Sequence, residues 1–331
     1  MGRRILVTGG AGFIGSNFIH YWHTKYPSDW IINLDKLTHT GKLENLSDIQ
    51  LEARHHFVKG DISDQGIVGK IMVSGVDWIV NFATEPYVDH CITAPSDFVK
   101  TNTLGTQNLL EYAKAYGVKR FLQVSTAAVY GSLGPEGYFT ETTPPAPDNP
   151  YLASKIGADL LALAYYHAYG LPVLVTRCSA NYGFYQDPGK LVPMLIIKAL
   201  NDEMLPLEGT GLKIRDWVFV RDHCRALELV LNYGRAGEVY NIGGHNERTD
   251  LEVAKAILAR LEKAQSLIFF DAERLGNKRR CVVSTRKIET ELGWQPQTSF
   301  ETGLAATIRW YQTNRHWWQE QGRVKELNCT G

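Results

Sequence analysis

Tyr151 and Lys155 stand four residues apart in Tyr151-Leu-Ala-Ser-Lys155. At that spacing two side chains share one face of a helix. An ammonium beside a phenol favours the phenolate and lowers its pKa. A tyrosine so placed can take a proton from a substrate hydroxyl while hydride leaves the same carbon for a nicotinamide. The spacing alone is cheap, because Tyr21-Trp-His-Thr-Lys25 has it too. Context separates the two. Tyr21 falls inside the first helical pattern, where packing plus a solvated lysine accounts for it. Tyr151 follows Asn149-Pro150, beyond a strand that ends in Ser125-Thr126. A hydroxyl at a strand's carboxyl end, a tyrosine and a lysine make a catalytic constellation. In it Thr126 bonds the reacting oxygen, Tyr151 is the acid/base, and Lys155 tunes Tyr151 and holds a ribose.

A second constellation would supply the hydride acceptor. Thr8-Gly-Gly-Ala-Gly-Phe-Ile-Gly-Ser16 places Gly9, Gly12 and Gly15 between a strand and a helix, with Phe13 and Ile14 at the helix start. Glycines there let the backbone approach a pyrophosphate, and the helix N-terminus offers N–H groups and partial positive charge. Asp35 ends the second strand, 20 residues after Gly15. A carboxylate at that place accepts from the adenosine ribose and repels a 2′-phosphate, so NAD is expected over NADP. Lys36, next to it, pulls weakly the other way.

These residues need a scaffold, and the chain patterns one. Buried strands are predicted at 4–8, 31–35, 56–59, 77–82, 120–125 and 172–177. Helices are predicted at 13–26, 95–117 and 149–169. Strands alternating with helices predict a Rossmann-type, doubly wound parallel sheet, an α/β fold. After about residue 180 the alternation loosens, with strands near 217–220 and 238–241 and helices near 190–200, 249–262 and 299–314. The expected division is a Rossmann domain over 1–180, with some later segments returning to it, and a smaller α/β substrate domain over 181–331. The 331 residues, 44% hydrophobic, suffice for both. Zero formal charge gives no nucleic-acid footprint. No stretch approaches membrane-spanning length. The five cysteines are scattered without a CxxC pair, so free thiols in a cytoplasmic, reducing setting are expected and no metal site. Trp310, Tyr311, Trp317 and Trp318 read as packing.

Together these blocks resemble the extended short-chain dehydrogenase/reductases, over nearly the whole chain. They are most similar to dTDP-glucose 4,6-dehydratases, through Leu6–Ser16, Asp35-Lys-Leu-Thr38, Thr101–Thr106, Tyr151–Lys155, Asn181-Tyr-Gly183, Lys190-Leu-Val-Pro193, Ile214-Arg-Asp-Trp217 and Tyr240–Glu247. The resemblance implies that Leu37, Thr38, Asp61, Ile62, Ala83, Thr84 and Cys178 join the NAD site. It implies a nucleoside-diphosphate sugar bound by Glu85, Tyr87, Thr126, Asn181, Lys190, Leu191, Pro206, Arg215 and Arg274. It also implies a homodimer through helices 95–117 and 149–169.

The chain departs from the dehydratases at the reaction centre. They carry Thr-Asp-Glu after the fifth strand; here it is Thr126-Ala127-Ala128. Elimination of water needs a base at C5 and an acid at C6, and alanine is neither. A 4-epimerase needs only the reversible oxidation of C4, and Ser125–Gly131 is similar to the matching stretch of UDP-galactose 4-epimerases. The expectation is therefore NAD-dependent C4 epimerisation, the alternative being a 4,6-dehydratase with non-standard acid/base groups. A catalytically silent NAD-binding regulator runs against the intact Thr126, Tyr151 and Lys155. The nucleobase is left open among UDP, GDP, CDP and dTDP. Glu208 replaces a base-packing aromatic and Asp250 an asparagine, and either carboxylate could accept from an amino-bearing base such as guanine. Asn277 replaces a phosphate-binding histidine, and Pro86-Tyr87 a Ser-His.

Overall fold

The structure, a computed structural model, describes residues 2–38, 40–85, 95–272 and 280–319. Six strands of the first half are β1 (Arg4–Thr8), β2 (Trp30–Asp35), β3 (His55–Lys59), β4 (Trp78–Asn81), β5 (Arg120–Thr126) and β6 (Val173–Cys178). The second half supplies β7 (Ala180–Tyr182), β8 (Leu205–Glu208), β9 (Ile214–Phe219), β10 (Val239–Ile242), β11 (Glu247–Thr249), β12 (Ile268–Asp271) and β13 (Arg280–Cys281). The main sheet runs β10-β6-β5-β4-β1-β2-β3, every pair parallel. Such a sheet is covered on both faces, so its strands are near-continuous apolar runs. β6 is buried at every residue and β1 at all but its first. β10 comes from far beyond residue 180 and closes one edge.

Helices α1 (Phe13–Lys25), α2 (Gln65–Val73), α3 (Pro95–Phe98), α4 (Thr106–Ala115) and α5 (Pro150–Tyr169) belong to the first half. Local chemistry sets the ends of α5. Asn149 Oδ1 accepts from the Leu152 N–H at 2.9 Å, Pro150 opens the helix, and Gly170 closes it at φ 69°. The predicted continuous helix over 95–117 is instead α3, a π-helical stretch at Val99–Gly105, and α4. A π stretch re-aims side chains, and such stretches cluster at functional sites.

The second half adds α6 (Leu191–Leu200), α7 (Val220–Tyr233), α8 (Asp250–Arg260), α9 (Arg286–Leu292) and α10 (Phe300–Thr313). α7 follows β9 directly, where the sequence pattern gave only a strand near 217–220. It packs in one core cluster with α1, around Phe18, Trp22, Cys224 and Leu227. A second cluster joins α6, α8 and α10, with Tyr311, Trp317 and Trp318 buried and Trp310 packed against them. The aromatic group is packing, as its spacing suggested. β11, β9 and β13 form a small sheet joined by β7, and β8 pairs with β12. These pieces are too short for a period-two pattern to register. Among the described residues no helix is long and apolar enough to cross a membrane. Cys178, Cys224 and Cys281 are free thiols.

Candidate active site

Strand order reverses between β1 and β4, and a crevice at the carboxyl ends of such strands is the standard ligand position. One long cleft opens there, walled by the ends of β1, β2, β4, β5 and β6. A buried chain of polar contacts fixes the strand ends under it. Thr8 Oγ1 donates to Asn81 Oδ1 at 2.5 Å, and Asn81 Nδ2 donates to Gln123 Oε1 at 2.8 Å.

The glycine turn lines the cleft as expected. Gly9 has φ 67°, and a Cβ on it would lie 2.7 Å from the Ala83 nitrogen. A Cβ on Gly15 would lie 2.3 Å from the Gly9 carbonyl oxygen, so the turn is closed to any side chain there. α1 begins with no side-chain cap and no acidic residue in its first turn. Its leading N–H groups thus fit a diphosphate. Asp35 is held rigidly, accepting from the Ala11 N–H at 2.9 Å and the Leu37 N–H at 2.8 Å. Burial pushes its carboxyl up, against those two bonds. Lys36 is paired with Asp61 at 2.9 Å, so its charge is answered within the protein. The residues fit an NAD-type dinucleotide. Of the cofactor residues expected from sequence, Leu37 alone does not line the cleft. It acts through its backbone, at φ 56°, by orienting Asp35.

Thr126, Tyr151 and Lys155 meet in the same cleft. Thr126 ends β5 and caps the short turn Ala127–Tyr130, its Oγ1 accepting from the Ala128 N–H at 3.2 Å. Lys155 is 4% exposed and its ammonium donates to the Val124 carbonyl at 3.0 Å. The expected lowering of the phenol by the lysine is corrected here. Burial pushes Tyr151 up to about 12, opposed by the bond to the Thr84 side chain. Burial also lowers the Lys155 pKa, with Asp159 working against it. The lysine ammonium is engaged by the strand backbone. By contrast Lys25 does bond Tyr21, at 3.1 Å, but away from the cleft and beside Glu228.

Asn102, which sequence reasoning passed over, ties the centre together. It sits in the π stretch. Its Oδ1 accepts from Thr84 Oγ1 at 3.1 Å and from the Glu85 N–H at 2.9 Å, and its Nδ2 donates to Ser154 Oγ at 2.9 Å. One amide therefore joins the loop after β4 to the helix bearing Tyr151 and Lys155. Ala127 and Ala128 do not line the cleft; Ala127 is 1% exposed against Tyr130 and Phe139.

The expected substrate residues divide. Glu85, Thr126, Asn181 and Lys190 line the cleft. Leu191 opens α6 and packs on the second core cluster. Pro206 and Glu208 lie on β8, opposite Phe269 and Asp271. Arg215 clamps Asp250 through Nε at 3.0 Å and Nη2 at 3.3 Å. That corrects the idea of Asp250 as a reader of an amino-bearing base, because its carboxylate answers a guanidinium. Tyr87 and Arg274, like Pro86 and Asn277, lie outside the described residues. Gln186, Asp187 and His223 also line the cleft and were not anticipated. They come from a loop and a helix start with no motif spacing, so sequence offered no signal for them.

Residues 6–307 match the family described as GDP-mannose 4,6 dehydratase. The chain belongs to this family of nucleotide-sugar epimerases and dehydratases, a branch of the extended short-chain dehydrogenase/reductases. Within the family, dTDP-glucose 4,6-dehydratase of Xanthomonas campestris pv. campestris (strain B100) is 46% identical over 333 residues, covering 95% of this chain and 94% of that protein. The structure of dTDP-glucose 4,6-dehydratase from Bacillus anthracis str. Ames in complex with NAD has TM-score 0.92 and 47% identity, covering 97% of this chain and 100% of that one. UDP-glucose 4-epimerase of Thermotoga maritima, with UDP-glucose, has TM-score 0.88 and 30% identity, covering 94% and 99%. The expectation of a 4-epimerase, an isomerase, is overturned by this ranking. Agreement along the whole chain lies with dehydratases and outweighs the two alanines at one strand end.

Proposed function

We propose that the protein is an NAD-dependent 4,6-dehydratase of a nucleoside-diphosphate hexose, with dTDP-glucose as substrate. Near-full-length likeness to enzymes of that name carries the reading. The cleft supports it, since one wall offers a dinucleotide cradle and the next offers Thr126, Tyr151 and Lys155. Bound NAD supplies reversible hydride storage. The glycine turn and the α1 N-terminus hold its diphosphate, and Asp35 holds the adenosine ribose. Thr126 bonds the C4 oxygen, Tyr151 takes the C4 hydroxyl proton, and Lys155 holds the nicotinamide ribose.

Loss of water then requires removal of the C5 proton and departure of the C6 hydroxyl. Ala127 and Ala128 supply neither group. Asp35 and Asp61 are held at the adenosine end by backbone N–H groups and by Lys36, and Asp187 accepts from the Gly189 N–H at 2.7 Å within the loop after β7. Glu85 follows Thr84, which bonds Tyr151, and is the carboxylate placed by the Asn102 hub. We assign it the C5 proton; the C6 hydroxyl would leave as water with the proton Tyr151 took from the C4 hydroxyl, and C6 would then receive the hydride removed from C4 while Glu85 returns its proton to C5. The first 180 residues, with β10 returning to them, form the NAD-binding part, and residues 181–331 mainly the sugar-nucleotide part. Exposed Leu104 and Leu160, at 51 and 56%, fit a homodimer through the π stretch and α5.

Incubation with dTDP-glucose and mass spectrometry tests the reading. A product one water lighter is expected, and Glu85→Gln abolishes it. Recovery of unchanged mass from active wild-type protein would sink it.

A further inference from the structure

Asn45 does not line the cleft, yet it holds a residue of the glycine turn. It sits on the single turn Leu43–Leu46 and is 1% exposed. Its Nδ2 donates to the Ala11 carbonyl at 2.8 Å, and its Oδ1 accepts from the Trp317 indole N–H at 2.8 Å. An indole N–H only donates and a carbonyl only accepts. The amide can therefore stand one way round only. The backbone of Asn45 is pinned as well, since its carbonyl accepts from His20 Nε2 at 2.8 Å.

Ala11 passes this constraint on. Its N–H donates to Asp35 Oδ2 at 2.9 Å, and its carbonyl accepts a second bond, from the Lys42 N–H, at 2.9 Å. The next N–H, on Gly12, bonds the Gly9 carbonyl at 3.2 Å, and Gly12 is the residue from which α1 starts. Both polar groups of Ala11 are thus committed. One sets the carboxylate that ends β2, and the other is fixed by Asn45. A shift of the Asn45 amide moves the Asp35 carboxylate and the entry to α1 together. Trp317 stands 272 residues further along the chain, just past α10, in the core cluster of the second half. Asn45 therefore bonds that core to the dinucleotide cradle. Burial alone would be served as well by a leucine of the same shape, with no polar atoms to satisfy.

We infer that Asn45, oriented by Trp317, is a positioning residue for the cofactor. It sets the glycine turn and Asp35 in the mutual arrangement that a dinucleotide needs, and the aromatic core of the second half keeps it there. The inference rests on the reading of the cleft as the NAD site.

Four variants test it: Asn45→Asp, Asn45→Ala, Trp317→Phe, and Asn45→Ala combined with Trp317→Phe. The measurement is calorimetric titration of NAD into cofactor-free protein, well below each melting midpoint. Asn45→Asp keeps the shape and the acceptor for Trp317, but turns an oxygen on the Ala11 carbonyl. It is expected to bind NAD about tenfold more weakly, or worse. Trp317→Phe keeps an aromatic ring in the core and loses only the indole donor, and it weakens NAD binding in the same direction. The double variant binds NAD no more weakly than Asn45→Ala alone, because Trp317 acts through Asn45. Trp317→Phe alters no atom of the first half, so it decides the matter if an Asn45 variant does not fold. A purely structural link would lower the melting midpoint and leave the NAD affinity of the folded variants at the wild-type value. That result overturns the inference, as does a double variant whose losses add. Wild-type protein that binds no NAD overturns the reading of the cleft and the inference together.

Discussion

Arg177 donates through Nε to Asp159 at 3.0 Å, in a pair whose side chains are 4 and 0% exposed. Asp159 lies one helical turn beyond Lys155 and favours the charged form of that buried ammonium. Arg177 also stacks 4.8 Å from the Tyr130 ring, on the turn that follows Thr126. A single carboxylate thus balances two buried cations. Removing one partner of a buried pair typically costs about 3–5 kcal/mol. Asp159→Asn should lose that much in urea unfolding, and Asp159→Leu with Arg177→Met should recover most of it. A single-variant loss below about 1 kcal/mol would contradict the pairing.

Restoring an acid at the reaction centre should speed elimination. Ala128 is half-buried beside Tyr151 and Leu152, so Ala128→Glu can be accommodated. Ala127 is enclosed by Tyr130, Phe139 and Val283, and Ala127→Asp puts a carboxylate where it has no water. Ala128→Glu is expected to raise the rate of water loss by about 10²-fold or more. Ala127→Asp is expected to lower the melting midpoint. Product formation by mass spectrometry and thermal unfolding check the two halves. An unchanged rate in a folded Ala128→Glu would mean that other groups already saturate the step.

The amide of Asn102 makes three bonds to two elements of the site, so Asn102→Ala should damage turnover more than folding. Misplacement of a reacting group by about 1 Å can cost about 10²-fold in rate. Loss of a comparable factor in kcat is expected, with dTDP-glucose KM little altered. Equal losses in KM and melting midpoint without a kcat effect would show that the hub is structural only.

Stability should fall in mild acid. His55 is 7% exposed, with both ring nitrogens unpartnered. Burial first, and then neighbouring histidines, lower its pKa to about 4 from an ordinary 6.5. Above pH 6.5 the ring is neutral folded or unfolded. As pH falls toward 4 the unfolded chain takes up a proton that the folded one refuses, so about 3 kcal/mol is lost across that window. His55→Phe should flatten the profile between pH 6.5 and 4 in urea titrations. An unaltered slope would place the acid sensitivity elsewhere.

The parts of the site that sequence exposed are those with local signatures. Gly9, Gly15 and Asp35 announce themselves because a tight turn and a strand end restrict residue type at fixed offsets. Tyr151 and Lys155 do so through helical spacing and the Asn149 cap. The seven-stranded sheet followed from apolar runs and their alternation with helices. His223, Gln186 and Asn102 were illegible because their placing depends on which distant elements meet. The bond from the Lys155 ammonium to the Val124 carbonyl was illegible for the same reason, since spacing places the lysine on a helix face but not its partner on a strand. The fate of Asp250 turned on a partner, Arg215, on another strand.

The position of β10 has a consequence for how the protein is made. Val239–Ile242 covers the outer edge of β6, a strand buried at every residue. While the ribosome is still reading the codons between, the nascent chain carries β6 with that edge bare. Bare apolar edges recruit strands from other chains. The interval before β10 emerges thus leaves that edge open to strands of other chains. A chain cut at residue 180 would stay in that state for good.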